Sequence, residues 1–173
     1  MIYREPRHLV LGIYLQKRGF AFVLFEGRLA PVDWGVQEIR DRNRNALCLR
    51  RIDSIFALHE PDVLVLQDTA ENDVHRAPRI QELNAGVAEL ADQRGILVCT
   101  YSRAQVLGYF ARHGATTKQS IAETIAKQIP ALSLYLPPAR KAWGVEHPRM
   151  GIFEAAALAW MFFQSNESNR QAA

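Results

Sequence analysis

The segment Asp62-Val63-Leu64-Val65-Leu66 is apolar on both of its alternating faces. A strand that tolerates water on neither side belongs in a sheet covered by helices above and below, the usual setting of a parallel strand. Pro61 precedes it, and a polar loop from Gln67 to Pro78 follows. The rest of the chain must therefore supply neighbouring strands and the helices that cover them. Upstream, Leu9–Tyr14, Phe20–Phe25 and Pro31–Val36 are short apolar or aromatic runs separated by Arg18-Gly19 and Glu26-Gly27-Arg28. These connections are too short for a crossover helix, so the three runs predict an antiparallel meander.

Between meander and core strand the period changes. Ala46 to His59 places Cys48, Ile52, Ile55 and Phe56 on one helical face, and Pro61 stops the helix. Ile80, Leu83, Val87 and Leu90 predict a second helix ending at Gly95, and Ile96–Thr100 predicts another buried strand. Ser102 caps a short helix to Arg112, and Thr116 with Gln119 forms a capping box for a helix lined by Ile121, Ile125 and Ile129. After the break at Leu136-Pro137-Pro138, a last helix is expected from Met150 to Phe163, followed by a polar, frayed end. The expectation is one mixed α/β domain over residues 1–165 with a flexible tail, 166–173.

Composition agrees and removes several classes. The 173 residues are 49% hydrophobic and 23% charged, enough for one buried core and too apolar for disorder. No apolar run approaches the roughly 18 residues of a membrane span, and Met1-Ile2-Tyr3-Arg4-Glu5 does not open a signal peptide. A cytoplasmic protein with reduced Cys48 and Cys99 is the expectation. The net charge of +3 permits a nucleic-acid partner without demanding one.

Common catalytic motifs are missing: no Gly-rich phosphate loop, no zinc-spaced Cys/His cluster, no Ser between glycines. What remains is acidic and basic residues at element ends. Asp68 lies just past the core strand, where open α/β sheets place ligands, and Glu154 lies in the expected first turn of the last helix. Converging carboxylates of this kind hold hard cations, although a loop acid and a dipole-favoured acid look the same in sequence. Arg40, Arg44 and Arg51 share one helical face, which is either an electrostatic strip or a solvated surface. Lys118 stands in the first turn of a helix, against the dipole preference, so Gly114-Ala115-Thr116-Thr117-Lys118 reads as a phosphate contact.

In order and local wording the chain resembles the RuvC-type Holliday junction resolvases of the RNase H-like superfamily, in a divergent bacterial branch. The resemblance runs from about Leu9 to Phe163. It is carried by Val10-Leu11-Gly12-Ile13, Pro61-Asp62-Val63-Leu64-Val65-Leu66, Gly114-Ala115-Thr116-Thr117-Lys118-Gln119 and Ala156-Ala157-Leu158-Ala159. It implies an RNase H-like fold, a mixed sheet with helices on both faces, and a phosphodiesterase that uses two Mg²⁺ or Mn²⁺ ions. Carried over position by position, the acid of the first strand falls at Tyr14 and that of the fourth at Gln67. The two acids of the last helix fall at Ala156 and Phe153. The acids available nearby are Asp68 and Glu154, with Glu146 as a third. The resemblance thus implies a degenerate site, with Asp68 and Glu154 as ligands of at most one weakly held ion and Lys118, Thr117, Arg40, Arg44 and Arg51 towards DNA. It further implies a homodimer, with Trp143, Trp160 and Phe163 offering an apolar surface. Two functions stay open: binding of branched or structured DNA with uncertain nuclease activity, or a non-catalytic scaffold or protein-interaction module. A metabolic enzyme on the same plan is the weakest alternative.

Overall fold

The computed structural model describes residues 8–69, 77–139 and 144–172. The meander forms as expected, with β1 (Leu9–Gln16), β2 (Gly19–Glu26) and β3 (Pro31–Glu38) joined by tight turns. Helix α1 (Arg44–His59) leads into the core strand β4 (Val63–Gln67), and α2 (Pro78–Gln93) leads into β5 (Leu97–Tyr101). Three helices close the fold: α3 (Arg103–Arg112), α4 (Lys118–Gln128) and α5 (Met150–Ala172), with a 3-10 turn over Pro130–Tyr135 between the last two.

The five strands lie in the order β3-β2-β1-β4-β5. β1 pairs antiparallel with β2 and parallel with β4, which pairs parallel with β5. Alternation in the strands then divides the core in two. Leu11, Ile13, Phe20, Phe22, Leu64 and Leu66 face α1 and α2. Val10, Ala21, Val23, Val63 and Val65 face α3, α4 and α5. The mixed α/β architecture with helices on both faces is therefore present. Cys48 belongs to the first face and Cys99 packs against the second, and neither is in a disulfide.

Three local expectations need correction. β5 is an edge strand and not a fully buried one, since only β4 pairs with it and Leu97 is 60% exposed. The capping box of α4 is Thr117 with Ser120, one residue later than Thr116 with Gln119. Gly114, at φ 87°, turns the chain out of α3 and Ala115 is buried with its N–H on the Phe110 carbonyl, so Thr116 is spent as an exposed spacer. The last helix does not end at Phe163: it continues through the polar segment to Ala172, where Glu167 pairs with Arg28 at 2.6 Å.

From Met150 to Phe162 α5 is apolar almost all round because it is buried almost all round, with Ala155, Ala156 and Ala159 fully enclosed. It crosses β1 at Gly12, where a Cβ would collide with the carbonyl oxygen of Ala155. Glycine is needed there for space, not for a special φ. Replacing Gly12 with Val should force α5 off the sheet and lower the unfolding free energy by about 1–3 kcal/mol. Urea denaturation with an unchanged m-value checks this, and native stability in Gly12→Val would show that the helix seats without that close approach.

Candidate functional site

β1 and β3 run in one direction, and β4 and β5 are parallel to β1, so all four finish at the same edge of the sheet. α1, α2 and α3 begin as the chain leaves β3, β4 and β5 at that edge. α4 and α5 begin there too: Lys118 reaches Glu154, and Gln16 Nε2 donates to the Pro148 carbonyl just before α5. The strand-end edge therefore collects the positive ends of five helix dipoles, and none of the five helices has an acid in its first turn.

Five of the residues singled out in the sequence meet at this edge. Pleat alternation sends Gly12 and Tyr14 of β1, and Gln67 of β4, towards α5. Lys118, at the start of α4, places Nζ 2.8 Å from Glu146 Oε1 and 3.5 Å from Glu154 Oε1. The same ammonium lies 6.0 Å from the centroid of the Tyr14 ring. Gln67 is buried and lines a cleft with Lys118, Glu154 and Arg103, whose inner wall is apolar through Val106, Ile121, Met150 and Phe153.

Burial is the largest influence on Lys118 and works against its charge, but Glu154, Tyr14 and Glu146 together outweigh it and hold its pKa above the ordinary lysine value of 10.5. Lysine at the first position of a helix opposes the macrodipole, and these partners explain why it stands there. The phosphate contact expected of Lys118 thus competes with an internal ion pair. Thr117 is likewise engaged, its hydroxyl accepting from Ser120 N–H at 3.1 Å.

The other expected residues are placed differently. Asp68 follows β4, and its N–H donates to the Tyr101 carbonyl at 2.8 Å, so strand pairing persists one residue past Gln67. Alternation then turns Asp68 away from Gln67, and it is not among the residues lining the cleft. Glu154 is the fifth residue of α5, one position past the first turn. The positions where the resemblance puts the helical acids, Phe153 and Ala156, are buried core. Arg44 and Arg51 brace α1, donating to the Lys17 carbonyl and to Gln37 Oε1, each at 2.7 Å, while Arg40 stays exposed beside Glu38 at 3.6 Å. Arg79 joins Arg44 on the Lys17 carbonyl at 2.8 Å. Trp160 and Phe163 are half-buried against Phe110 and Phe25, and Trp143 lies outside the described residues.

Sequence reasoning missed Arg103. It is the first residue of α3, it lines the cleft, and among the described residues it has no ion-pair or hydrogen-bonding partner for its guanidinium. The one available signal was its place directly after a Ser N-cap at the end of a strand.

The residues present do not fit a pair of divalent ions. Two such ions would add four positive charges beside an ammonium, against two carboxylates already paired with it, while Tyr14 and Gln67 offer neutral oxygens. Among the described residues no three His, Cys, Asp or Glu side chains converge as a metal site.

The fold has close counterparts of known structure. T. thermophilus RuvC in complex with Holliday junction substrate matches with a TM-score of 0.69 at 16% identity, covering 93% of this chain and 96% of that one. The yeast mitochondrial Holliday junction resolvase matches at 0.64 and 18%, covering 92% and 80%. The fowlpox virus Holliday junction resolvase matches at 0.55 and 10%, covering 91% and 98%. No protein-family model and no curated protein sequence matches the chain. At these identities the likeness establishes the fold, the RNase H-like resolvase architecture that the sequence resemblance implies.

The raised pKa of Lys118 fixes the sign of a pH effect. Its stabilisation is fully present below the unfolded-state value and is lost as the pH rises through the higher folded-state value. Native protein should therefore be more stable than Lys118→Met at about pH 8, with the difference shrinking as the pH rises above the ordinary lysine value of 10.5. Urea unfolding across that range decides the point: a constant difference would assign the effect to packing of the lysine stem.

Proposed function

We propose that the chain binds branched or structured DNA on its strand-end edge and does not carry out two-metal hydrolysis there. The observation that carries the binding half is the cationic edge itself. Five helix N-termini converge on it without a first-turn acid, and Arg40, Arg44, Arg79 and Arg103 stand along it. Phosphates are attracted by helix N-termini and arginine alike, and neither attraction depends on base sequence. The likeness in fold to resolvases, one of them solved with a Holliday junction, supports a branched partner in preference to a plain duplex. The ion pairing of Lys118 supports the other half, because it uses both nearby carboxylates.

A homodimer belongs to this reading, since one copy per half-junction gives a two-fold arrangement matching a four-way substrate. Trp160 and Phe163, with Phe25 and Leu29, wall a shallow groove available to a second copy. A protein-interaction module on the same fold is the competing reading, favoured by the loss of the metal-binding acids.

A salt series with four-way junction and linear duplex of equal length separates these readings. Junction binding should be the tighter and should fall linearly in log–log form with salt, with no cleavage in Mn²⁺. Arg103→Ala should lower the salt slope by about one unit and weaken binding to all sequences alike. Equal affinity for duplex and junction would remove the branched substrate, and binding too weak to measure at low salt would favour the interaction module. Robust Mn²⁺-dependent cleavage that Glu154→Gln abolishes would restore the nuclease.

A further inference from the structure

The ion cluster at the strand ends has a consequence independent of any DNA partner. Lys118 starts α4, Glu154 lies within α5, and Glu146 lies in the segment before α5. One ammonium therefore joins three separate pieces of chain. It does so as a bound cation does, facing two carboxylate oxygens at 2.8 and 3.5 Å and an aromatic face at 6.0 Å. The site is partly shielded, with the Lys118 and Glu154 side chains 28% and 19% exposed and Glu146 more open at 39%, so it is above all Glu154 that is costly to leave without a cation. Lys118 also occupies a helix position that its charge disfavours, so local helix stability does not account for it.

We infer that Lys118 is the resident cation of this site: its ammonium takes the neutralising and tethering part that a divalent ion would take between Glu146 and Glu154. Native protein then holds this edge together without divalent metal. Removing the ammonium leaves two carboxylates from different elements within reach of one small cation, which is the minimum for a single weak Mg²⁺ or Mn²⁺ site. The lysine and the metal are alternatives, and the chain has adopted the lysine.

The test uses the full-length chain and Mn²⁺ without DNA, so it stands or falls apart from the DNA-binding reading. Thermal melts in chelator and in excess MnCl₂ compare the native chain with Lys118→Met and with Lys118→Met combined with Glu154→Gln. The native Tm should not respond to Mn²⁺. Lys118→Met should melt lower in chelator and gain about 5–10 °C at Mn²⁺ about 100-fold above its Kd. The double variant should lose that gain. A Tm for Lys118→Met that equals the native value and ignores Mn²⁺ would overturn the inference, as would a saturable gain in the native protein. If Lys118→Met does not fold in chelator, folding on addition of Mn²⁺ supports the inference. Should it fold in neither condition, Mn²⁺ titration of the native chain and of Lys118→Arg by electron paramagnetic resonance decides: stoichiometric bound Mn²⁺ that Glu154→Gln removes overturns it, and no bound Mn²⁺ supports it.

Discussion

The contact between α5 and β1 at Gly12 sets the dimensions of the rest. Because no side chain intervenes, the backbone of Ala155 rests directly on the central strand, and Ala159 packs one turn further along. That seating makes the helix an interior element, with Ile152, Phe153, Ala156 and Leu158 filling the space between sheet and α4. It also fixes where Glu154 can be. The residue sits beside the buried Phe153 and Ala155, and its side chain leaves the core at the one edge where α4 begins and Lys118 can meet it. The ion pair is thus a product of the packing, and any shift of α5 along β1 would carry Glu154 away from its partner.

Two kinds of positive charge are kept apart on the strand-end edge. Lys118 is balanced by Glu146 and Glu154, so the cluster around Tyr14 carries a formal charge of −1. Arg44 and Arg79 donate to carbonyl oxygens, which accept these hydrogen bonds without cancelling the charge. A guanidinium tied to a carbonyl is held in place, and its field still reaches solvent. Structural bracing and electrostatic attraction are compatible in such residues, and a surface role for an arginine does not require that its side chain be loose.

Much of the fold was legible because its signals are local or periodic. The core strand declared itself through apolar residues on both faces, the meander through short turns, and α1 and α2 through stripes ended by Pro61 and Gly95. The misses come from effects that sequence spacing does not encode. β5 is as apolar as a central strand, and only the order of strands makes it an edge. The segment after Phe163 is polar enough to fray, yet Arg28, far off in sequence, pairs with Glu167 and holds it in α5. The cap of α4 moved by one residue because Ala115 is buried. At the site, the resemblance placed Tyr14 and Gln67, and the start of the last helix placed Glu154. The partner of Lys118 could not, since Glu146 is 28 positions away in a segment without periodicity.

The strand-end edge is electrically uneven, and the helix caps show how. α3 and α4 begin with complete capping boxes, Ser102 with Gln105 and Thr117 with Ser120, so their first N–H groups are already partly satisfied. α1 and α2 begin without any side-chain cap. Asp41 serves only the N–H of Asn43, ahead of α1, and Pro78 removes one donor from α2. Uncapped helix starts and the carbonyl-bound Arg44 and Arg79 therefore coincide on the side of α1 and α2, while the two capping boxes and the ion-paired lysine lie at the starts of α3 and α4, with Arg103 beside them. Helix N-termini attract anions, and the uncapped ones stand on the half that carries Arg44 and Arg79. The uncapped starts of α1 and α2 thus lie apart from Glu154, and Arg103 is the arginine that shares its cleft.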